Sequence, residues 1–358
     1  MINNAELKTT ILNKINNKTK PLGALGTLET LALQIALIQN TESPVITNPT
    51  VVVFAADHGI ALNNEVNIYP QAVTAQMVLN FCSGGAAINV FCKQNNIALL
   101  IVDAGVNFNF DPTLPIVHAK VAPGTNNYCN GYAIDPLQIE TILKKGGNIV
   151  ETIVNKGCNT ISFGEMGISN TSSAALIMHY YTGLPLAQCV GRGTGANDAQ
   201  LQKKMETLQQ AADYHLLSAK NITPTNLLAC IGGYEIVMMV GAYLKAYQLG
   251  ITILVDGFIA TAALYSAIKI LNSPAEAPGN ITGDSNLLNH CIFCHASGEQ
   301  GHLAMLNALK AEPLLNLNMR LGEGTGAAIA MPIIQSAVAF LNNMASFESA
   351  GVSTKEAE

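Results

Sequence analysis

Charge is scarce in this 358-residue chain: only 12% of its residues are Asp, Glu, Lys or Arg, the net charge is −6, and Lys and Arg nowhere cluster. Nucleic-acid binding depends on neutralising phosphates with basic side chains, so no nucleic-acid partner is expected. Also missing is an uninterrupted apolar run of the roughly 18 residues that a bilayer-spanning helix requires. The most apolar stretch, Ile236 to Leu271, is broken by Lys245, Gln248, Asp256 and Lys269. The opening MINNAELKTTILNKINNKTK is polar and has no apolar signal core. These absences predict no membrane insertion and a cytoplasmic location. Cysteine does not fall into a framework pattern either; it is scattered, with Cys82, Cys92 and Cys230 in apolar segments, which suits small buried hydrophobes in a reducing compartment. There is no internal repeat, and the one low-complexity hint is the polar tail from Ser353 to Glu358, read as frayed.

What is present is apolar: 49% of the residues. That proportion fits strands buried on both faces, as in a parallel sheet. Short β-branched or apolar runs at Thr50 to Ala56, Ile97 to Val102, Thr160 to Phe163, Ile251 to Val255 and Cys291 to Phe293 read as strands. Helical patterns separate them, at Pro70 to Lys93, Pro136 to Lys156, Thr171 to Tyr181, Asp198 to Leu217 and Tyr234 to Gln248. Such alternation implies right-handed βαβ units. The length favours a large α/β domain with a smaller appendage; we expect a catalytic domain over residues 46–325 and a small helical domain built from 1–45 and 326–358.

Each expected strand empties into polar residues: Asp57-His58-Gly59, Asp103-Ala104-Gly105, Gly164-Glu165-Met166-Gly167, Asp256-Gly257 and His295-Ala296-Ser297. Open α/β sheets bind ligands at that edge. Two glycine-rich stretches, GEMGISNTSS (Gly164 to Ser173) and GRGTGAND (Gly191 to Asp198), offer backbone N–H groups and helix N-termini to a phosphate, although the second also reads as a turn with Asn197 and Asp198 as caps. Neither matches GxxxxGK[ST] or GxGxxG. In MRLGEGTGAAIAMP, Glu323 stands between glycines with Met319 and Leu321 close by. Close ligand approach and an apolar setting suit a general base; the competing reading is a carboxylate capping the next helix. Lys204, in a chain poor in lysine, reads either as a phosphate contact or as part of a solvated helix face. Asp57, His58, Asp103, Asp256, His295 and His302 lack metal-motif spacing, so no metal is expected. Cys291 to His295 matches CxxCH, but haem attachment needs export and these cysteines lie in a strand-like run, so no cofactor is expected.

Taken in order, these stretches resemble the nicotinate-nucleotide:dimethylbenzimidazole phosphoribosyltransferase family, which prepares the lower nucleotide of cobalamin. The resemblance runs from KPLGALGTLE (Lys20 to Glu29) through FAADHGI and YPQAVTAQMVLNFCSGGAAINVF (Tyr69 to Phe91) to the two glycine loops. It continues with GGYEIVMMVGAYL, ILVDGFIATAAL, HASGEQGH and LNMRLGEGTGAAIAMPIIQSAVAFLNNMASFESAGV. It implies a Rossmann-like, doubly wound, mostly parallel six-stranded sheet with a helical domain from both termini, in a homodimer. By motif it makes Glu323 the catalytic base, with Glu165 and Lys204 supporting the nucleotide. Gly164, Gly167, Asn170, Thr171, Gly191, Gly193, Thr194, Gly195, Ser297, Gly322, Gly324 and Thr325 become nucleotide or phosphate contacts. Tyr69, Gln76, Met77, Asn80 and Leu321 become walls of the base pocket. Two positions depart from the family pattern, Ala24 in the PxGSLG motif and Asn67 before the aromatic-proline pair, where the family has serine.

The implied substrates are nicotinate mononucleotide and a benzimidazole. Nicotinate leaves C1 of the ribose as a neutral pyridine nitrogen, so no general acid is required. The attacking benzimidazole carries an N–H that becomes strongly acidic, and a carboxylate that accepts it accelerates the step. Two other readings stay open at this stage: a metal-dependent nucleotide hydrolase built on Asp57, His58 and Asp256, and a non-catalytic nucleotide sensor in which Glu323 only caps a helix.

Overall fold

The structure is a computed structural model that describes residues 4–62, 66–193, 195–276 and 286–353. Its centre is β1 (Thr50–Ala56), in which every residue is buried. Val51, Val53 and Ala55 project to one face and Val52, Phe54 and Ala56 to the other, the period-two alternation of a strand covered on both sides. β2 (Ala98–Gly105), β3 (Ile116–His118), β4 (Thr160–Met166), β5 (Thr252–Val255) and β6 (Cys291–Phe293) complete a six-stranded sheet in the order β3-β2-β1-β4-β5-β6. All five pairings are parallel. This is the doubly wound arrangement, in which strand order reverses between β1 and β4.

Helices cover both faces. α1 (Asn4–Asn16) and α2 (Thr27–Ile38) precede β1, and α3 (Val73–Cys82) and α4 (Ala87–Gln94) join β1 to β2. α5 (Ile139–Val154) leads into β4, which α6 (Asn170–Thr182), α7 (Leu186–Cys189), α8 (Asp198–Tyr214), α9 (Pro224–Ile231) and α10 (Tyr234–Gln248) link to β5. α11 (Phe258–Leu271) connects β5 to β6; α12 (His302–Leu309), α13 (Thr325–Asn343) and α14 (Phe347–Ala350) follow. One apolar core joins Phe54 and Phe163 of the sheet to α5, α6, α10 and α11. The second joins Val51, Val53 and Ile101 to α1 to α4 and α13, so helices from both ends of the chain pack together on that face.

Two expectations need correction. The run Pro70 to Lys93 is two helices, because Gly84 takes the left-handed conformation (φ 78°) at the end of α3 and turns the chain. β3 was not expected from the residue pattern; at three residues it is too short to show a period.

α13 is apolar and long enough, at 19 residues, to cross a membrane by composition alone. Its Ala327, Ala328, Ala330, Met331, Ile334, Ala337, Val338 and Leu341 are instead buried in the second core. Pro332 lies inside this helix, and a proline has no N–H for the carbonyl four residues back. That carbonyl, on Ala328, accepts from Asn95 Nδ2 at 2.8 Å, so the defect becomes a tie to the end of α4.

Candidate active site

A cavity opens at the carboxyl edge of β4, β5 and β6, where the sheet order predicts a ligand crevice. Of the expected site residues, Tyr69, Glu165, Gly167, Asn170, Thr171, Gly193, Lys204, Ser297, Leu321 and Gly322 line it. Thr194 lies outside the described residues.

The segment from Gly322 to Gly324 is built tightly onto the strand ends. Gly322, Glu323 and Gly324 all have positive φ, at 83°, 63° and 83°. Left-handed backbone costs a glycine nothing and a side-chain-bearing residue on the order of 1 kcal/mol or more, so Glu323 is held in a strained turn. The hold comes from Asp256 at the end of β5. Its Oδ2 accepts from Gly324 N–H at 3.1 Å, and its Oδ1 from Gly326 and Ala327 N–H at 2.7 and 3.2 Å. Asp256 thus satisfies the orphan donors at the start of α13. Thr325 Oγ1 donates to Gly322 O at 2.8 Å and closes the turn. Beneath it there is no room for a side chain at Gly164, where a Cβ would lie 2.3 Å from the Glu323 carbonyl carbon.

Glu323 itself is behind the cavity wall, one residue past Gly322, and is 4% exposed. Its carboxylate accepts from Ile88 N–H in the first turn of α4, while Oε2 has no partner among the described residues. Burial is the main cause that pushes its pKa up to about 7, with the charge of Asp256 adding to it and the Ile88 bond opposing. Glu323 therefore does not cap α13; Asp256 does.

Glu165 lines the cavity and is pushed up to about 8, chiefly by burial, against a hydrogen bond from Asn170 Nδ2 and with Glu235, Asp256 and Glu323 adding to the rise. It is a neutral acid at pH 7. Lys204 is buried on α8, where desolvation lowers it to about 8. Its Nζ donates to Thr171 Oγ1 at 3.1 Å and to Gly191 O at 3.4 Å, which excludes the solvated-face reading.

Other expected residues lie around these walls. Gly191 is buried against Glu299, Gly195 is open to solvent, and Gly324 and Thr325 belong to the turn into α13. Gln76, Met77 and Asn80 all sit on α3, outside the cavity walls. Gln76 is exposed, Asn80 lies over Gly85, and Met77 packs on the core cluster that contains Ile88 and Ala327. Asn67 lines the cavity and accepts from Ser169 Oγ at 2.9 Å.

Asp57, His58 and Asp256 do not assemble as the hydrolase reading requires. Only Asp256 lines the cavity; Asp57 Oδ2 accepts from Asn107 N–H at 2.8 Å and His58 pairs with Glu235 at 2.6 Å. Among the described residues no three His, Cys, Asp or Glu side chains form a metal-binding group. None of the eight cysteines forms a disulfide.

Three charged lining residues had no role in the sequence analysis: Arg192, Arg320 and Glu299. A signal for the first two was available, since they are the only arginines in the chain and both flank glycine motifs. Arg192 pairs with Asp198 and donates to Ala196 O at 2.8 Å.

The chain matches, over residues 2–352, a family model described as phosphoribosyltransferase. A nicotinate-nucleotide–dimethylbenzimidazole phosphoribosyltransferase from Dechloromonas aromatica (strain RCB) is 51% identical over 98% of this chain and 97% of that protein. The chain belongs to the nicotinate-nucleotide–dimethylbenzimidazole phosphoribosyltransferase family. Another member, from Cupriavidus necator, is 52% identical over 95% of this chain and 93% of its own length. Among solved structures, CobT from Thermus thermophilus superposes with a TM-score of 0.89 at 37% identity, covering 98% of this chain and 100% of that one. In this family member the buried turn at Glu323 and the cation Lys204 flank the same crevice.

Proposed function

We propose that the chain moves the 5-phosphoribosyl group of nicotinate mononucleotide onto 5,6-dimethylbenzimidazole or a related base, releasing nicotinate and α-ribazole 5′-phosphate for the nucleotide loop of cobalamin. The observation that carries this reading is Glu323: a buried carboxylate whose Oε2 has no partner among the described residues and whose pKa is pushed up to about 7 by burial. That is a base matched to a proton which becomes acidic only as the new bond forms. As one benzimidazole nitrogen attacks C1, the C1–nitrogen bond to nicotinate breaks, nicotinate leaves as a neutral pyridine, and Glu323 takes the N–H proton from the other nitrogen.

Lys204, Gly193, Thr171 and Ser297 hold the phosphate, and fixing the ribose between two bases makes inversion at C1 a matter of position. Neutral Glu165, steadied by Asn170, donates to nucleotide oxygen. Leu321 and Tyr69, 57% and 45% exposed at the cavity mouth, are apolar walls for the flat base. Gln76, Met77 and Asn80, on α3 outside the cavity walls, belong to the base side of the site in this reading, supported by the packing of Met77 on the core cluster that contains Ile88. Further parts of the proposal are the division into residues 46–325 and a helical unit from both termini, a homodimer, a cytoplasmic location, and no nucleic-acid or membrane partner. The pairing of α2 with α13 supports the helical unit.

The test is direct. Purified protein is mixed with nicotinate mononucleotide and 5,6-dimethylbenzimidazole, and an α-linked ribotide is expected by mass and NMR. Release of free ribose phosphate without base transfer would overturn the proposal.

A further inference from the structure

Glu299 is out of place in a site that is to hold a phosphate. It lines the cavity between β6 and α12, and its backbone is fixed by a turn in which its N–H donates to Ser297 Oγ at 3.2 Å and its carbonyl accepts from His302 N–H at 3.0 Å. The side chain runs back across the glycine loop. Its Oε2 lies 2.3 Å from where a Cβ on Gly191 would be, so the loop passes the carboxylate only because that residue is glycine. The carbonyl of the same Gly191 accepts from Lys204 Nζ, and Gly193 N–H donates to the Glu299 carboxylate. Lys204 and Arg320 are the cations whose charge Glu299 feels. At the same mouth Arg192 is already paired with Asp198, and His302, buried behind the cavity wall and lowered to about 3, stays neutral.

A lysine, an arginine and a glycine-loop N–H around one anion are the ingredients of a phosphate cradle. Here the anion is part of the chain. We propose that Glu299 is a resident counter-anion: without nucleotide its carboxylate takes the place among Lys204, Arg320 and the Gly193 N–H that the substrate phosphate occupies, and the nucleotide enters by displacing it. This rests on the proposed function for the identity of the nucleotide, but the cradle and its occupant are independent of which reaction follows. Three rotatable bonds on a pinned backbone let the side chain swing aside without moving β6. The counter-charge also has a use. It raises the Lys204 pKa against the burial that lowers it, and so keeps the lysine charged while the site is empty.

Competition of this kind is relieved when Glu299 is protonated, and burial holds its carboxyl above the ordinary range. Inorganic sulfate is the suitable probe, because its charge does not change between pH 5 and 7, and its own charge favours protonated Lys204. Calorimetric titration of the full chain is expected to show Glu299→Gln binding sulfate about tenfold more tightly than the parent at pH 7, the scale of one lost like-charge contact. The gap should narrow as the pH is lowered from 7, because the parent carboxylate, held above the ordinary range by burial, gains its proton. Equal affinities at pH 7, a gap that does not change with pH, or no sulfate binding by either protein would overturn the proposal. If Glu299→Gln does not fold, Glu299→Ala gives the same readout. In a turnover assay the KM for nicotinate mononucleotide should fall in the variant. The sulfate difference without any base transfer would sink the proposed function and leave the cradle standing; normal transfer with identical sulfate binding would do the reverse.

Discussion

The two halves of the sheet end in similar residues and use them differently. On the β1–β2–β3 side, Asp57 and His58 follow β1 and Asp103 lies near the end of β2, yet each is engaged internally: Asp57 by Asn107 N–H, His58 by Glu235, and Asp103 by Lys120 at 3.1 Å and Val106 N–H at 2.9 Å. On the β4–β5–β6 side, Glu165 and Asp256 face a cavity, and Asp256 holds up a turn whose own acid, Glu323, is left with an unpartnered oxygen. A polar residue at a strand end is therefore only a candidate. It becomes part of a site where the fold also opens a cavity against it: Asp57 too is raised by burial and keeps an Oδ1 without a partner among the described residues, yet it does not line the cavity.

That contrast can be broken by substitution. The largest effect is expected at Glu323: Glu323→Gln should lower kcat by about a hundredfold or more while the protein still binds nucleotide, and kcat near the parental value would remove the base from the mechanism. The parent's rate should rise with pH and level off above about 7, because the carboxylate must be unprotonated to accept the proton; a profile flat from pH 5 to 8 contradicts this. Next is Lys204→Met, for which the KM of the nucleotide should increase about tenfold or more. The parent should weaken in the same way as pH passes about 8 and the lysine loses its proton.

Glu165 sharpens the comparison through stability. Its pKa is raised from 4.5 to about 8, so the neutral form is favoured by folding: the contribution is complete below pH 4.5 and is lost as pH rises towards 8. Chemical denaturation of the unliganded protein should show a loss of up to a few kcal/mol between pH 5 and 8.5 that is smaller in Glu165→Gln, where the share of Glu323 remains. Smaller still, Leu321→Phe should alter the ratio of kcat/KM between dimethylbenzimidazole and a smaller base several-fold with little change for the nucleotide, as expected of one apolar wall. Least affected should be turnover in Asp103→Asn, within about twofold, although the lost charge partner for Lys120 costs about 1 kcal/mol of stability. A large activity loss there would erase the distinction between the two halves.

Much of this was legible from the residues. β1, β4 and β6 show as apolar or β-branched runs because both faces of a parallel strand are buried, and α10 matched its pattern from Tyr234 to Gln248. β3 has too few residues to show a period, and the α3–α4 break turns on one left-handed glycine inside an otherwise continuous helical pattern. In the site, glycines on both sides marked Glu323, since backbone freedom is written in residue type. Asp256 could not be assigned its task because its partners are backbone N–H groups seventy positions away, which carry no residue-specific signature. Glu299 stood in the HASGEQGH segment without a role, because only folding brings it to Gly191 and Lys204.

α13 begins two residues after the acid and runs for 19 residues, a rod of roughly 28 Å. Its front end carries the turn that aims Glu323; its body is gripped by α2, and by Asn95 at the carbonyl that Pro332 leaves unpaired. The aim of the carboxylate is thus anchored at the far ends of the chain as well as in the sheet beside it. Loosening the terminal helices, by trimming α1 or by gentle heating, should silence the enzyme while β1 to β6 are still intact, so that activity fades ahead of the main melting transition.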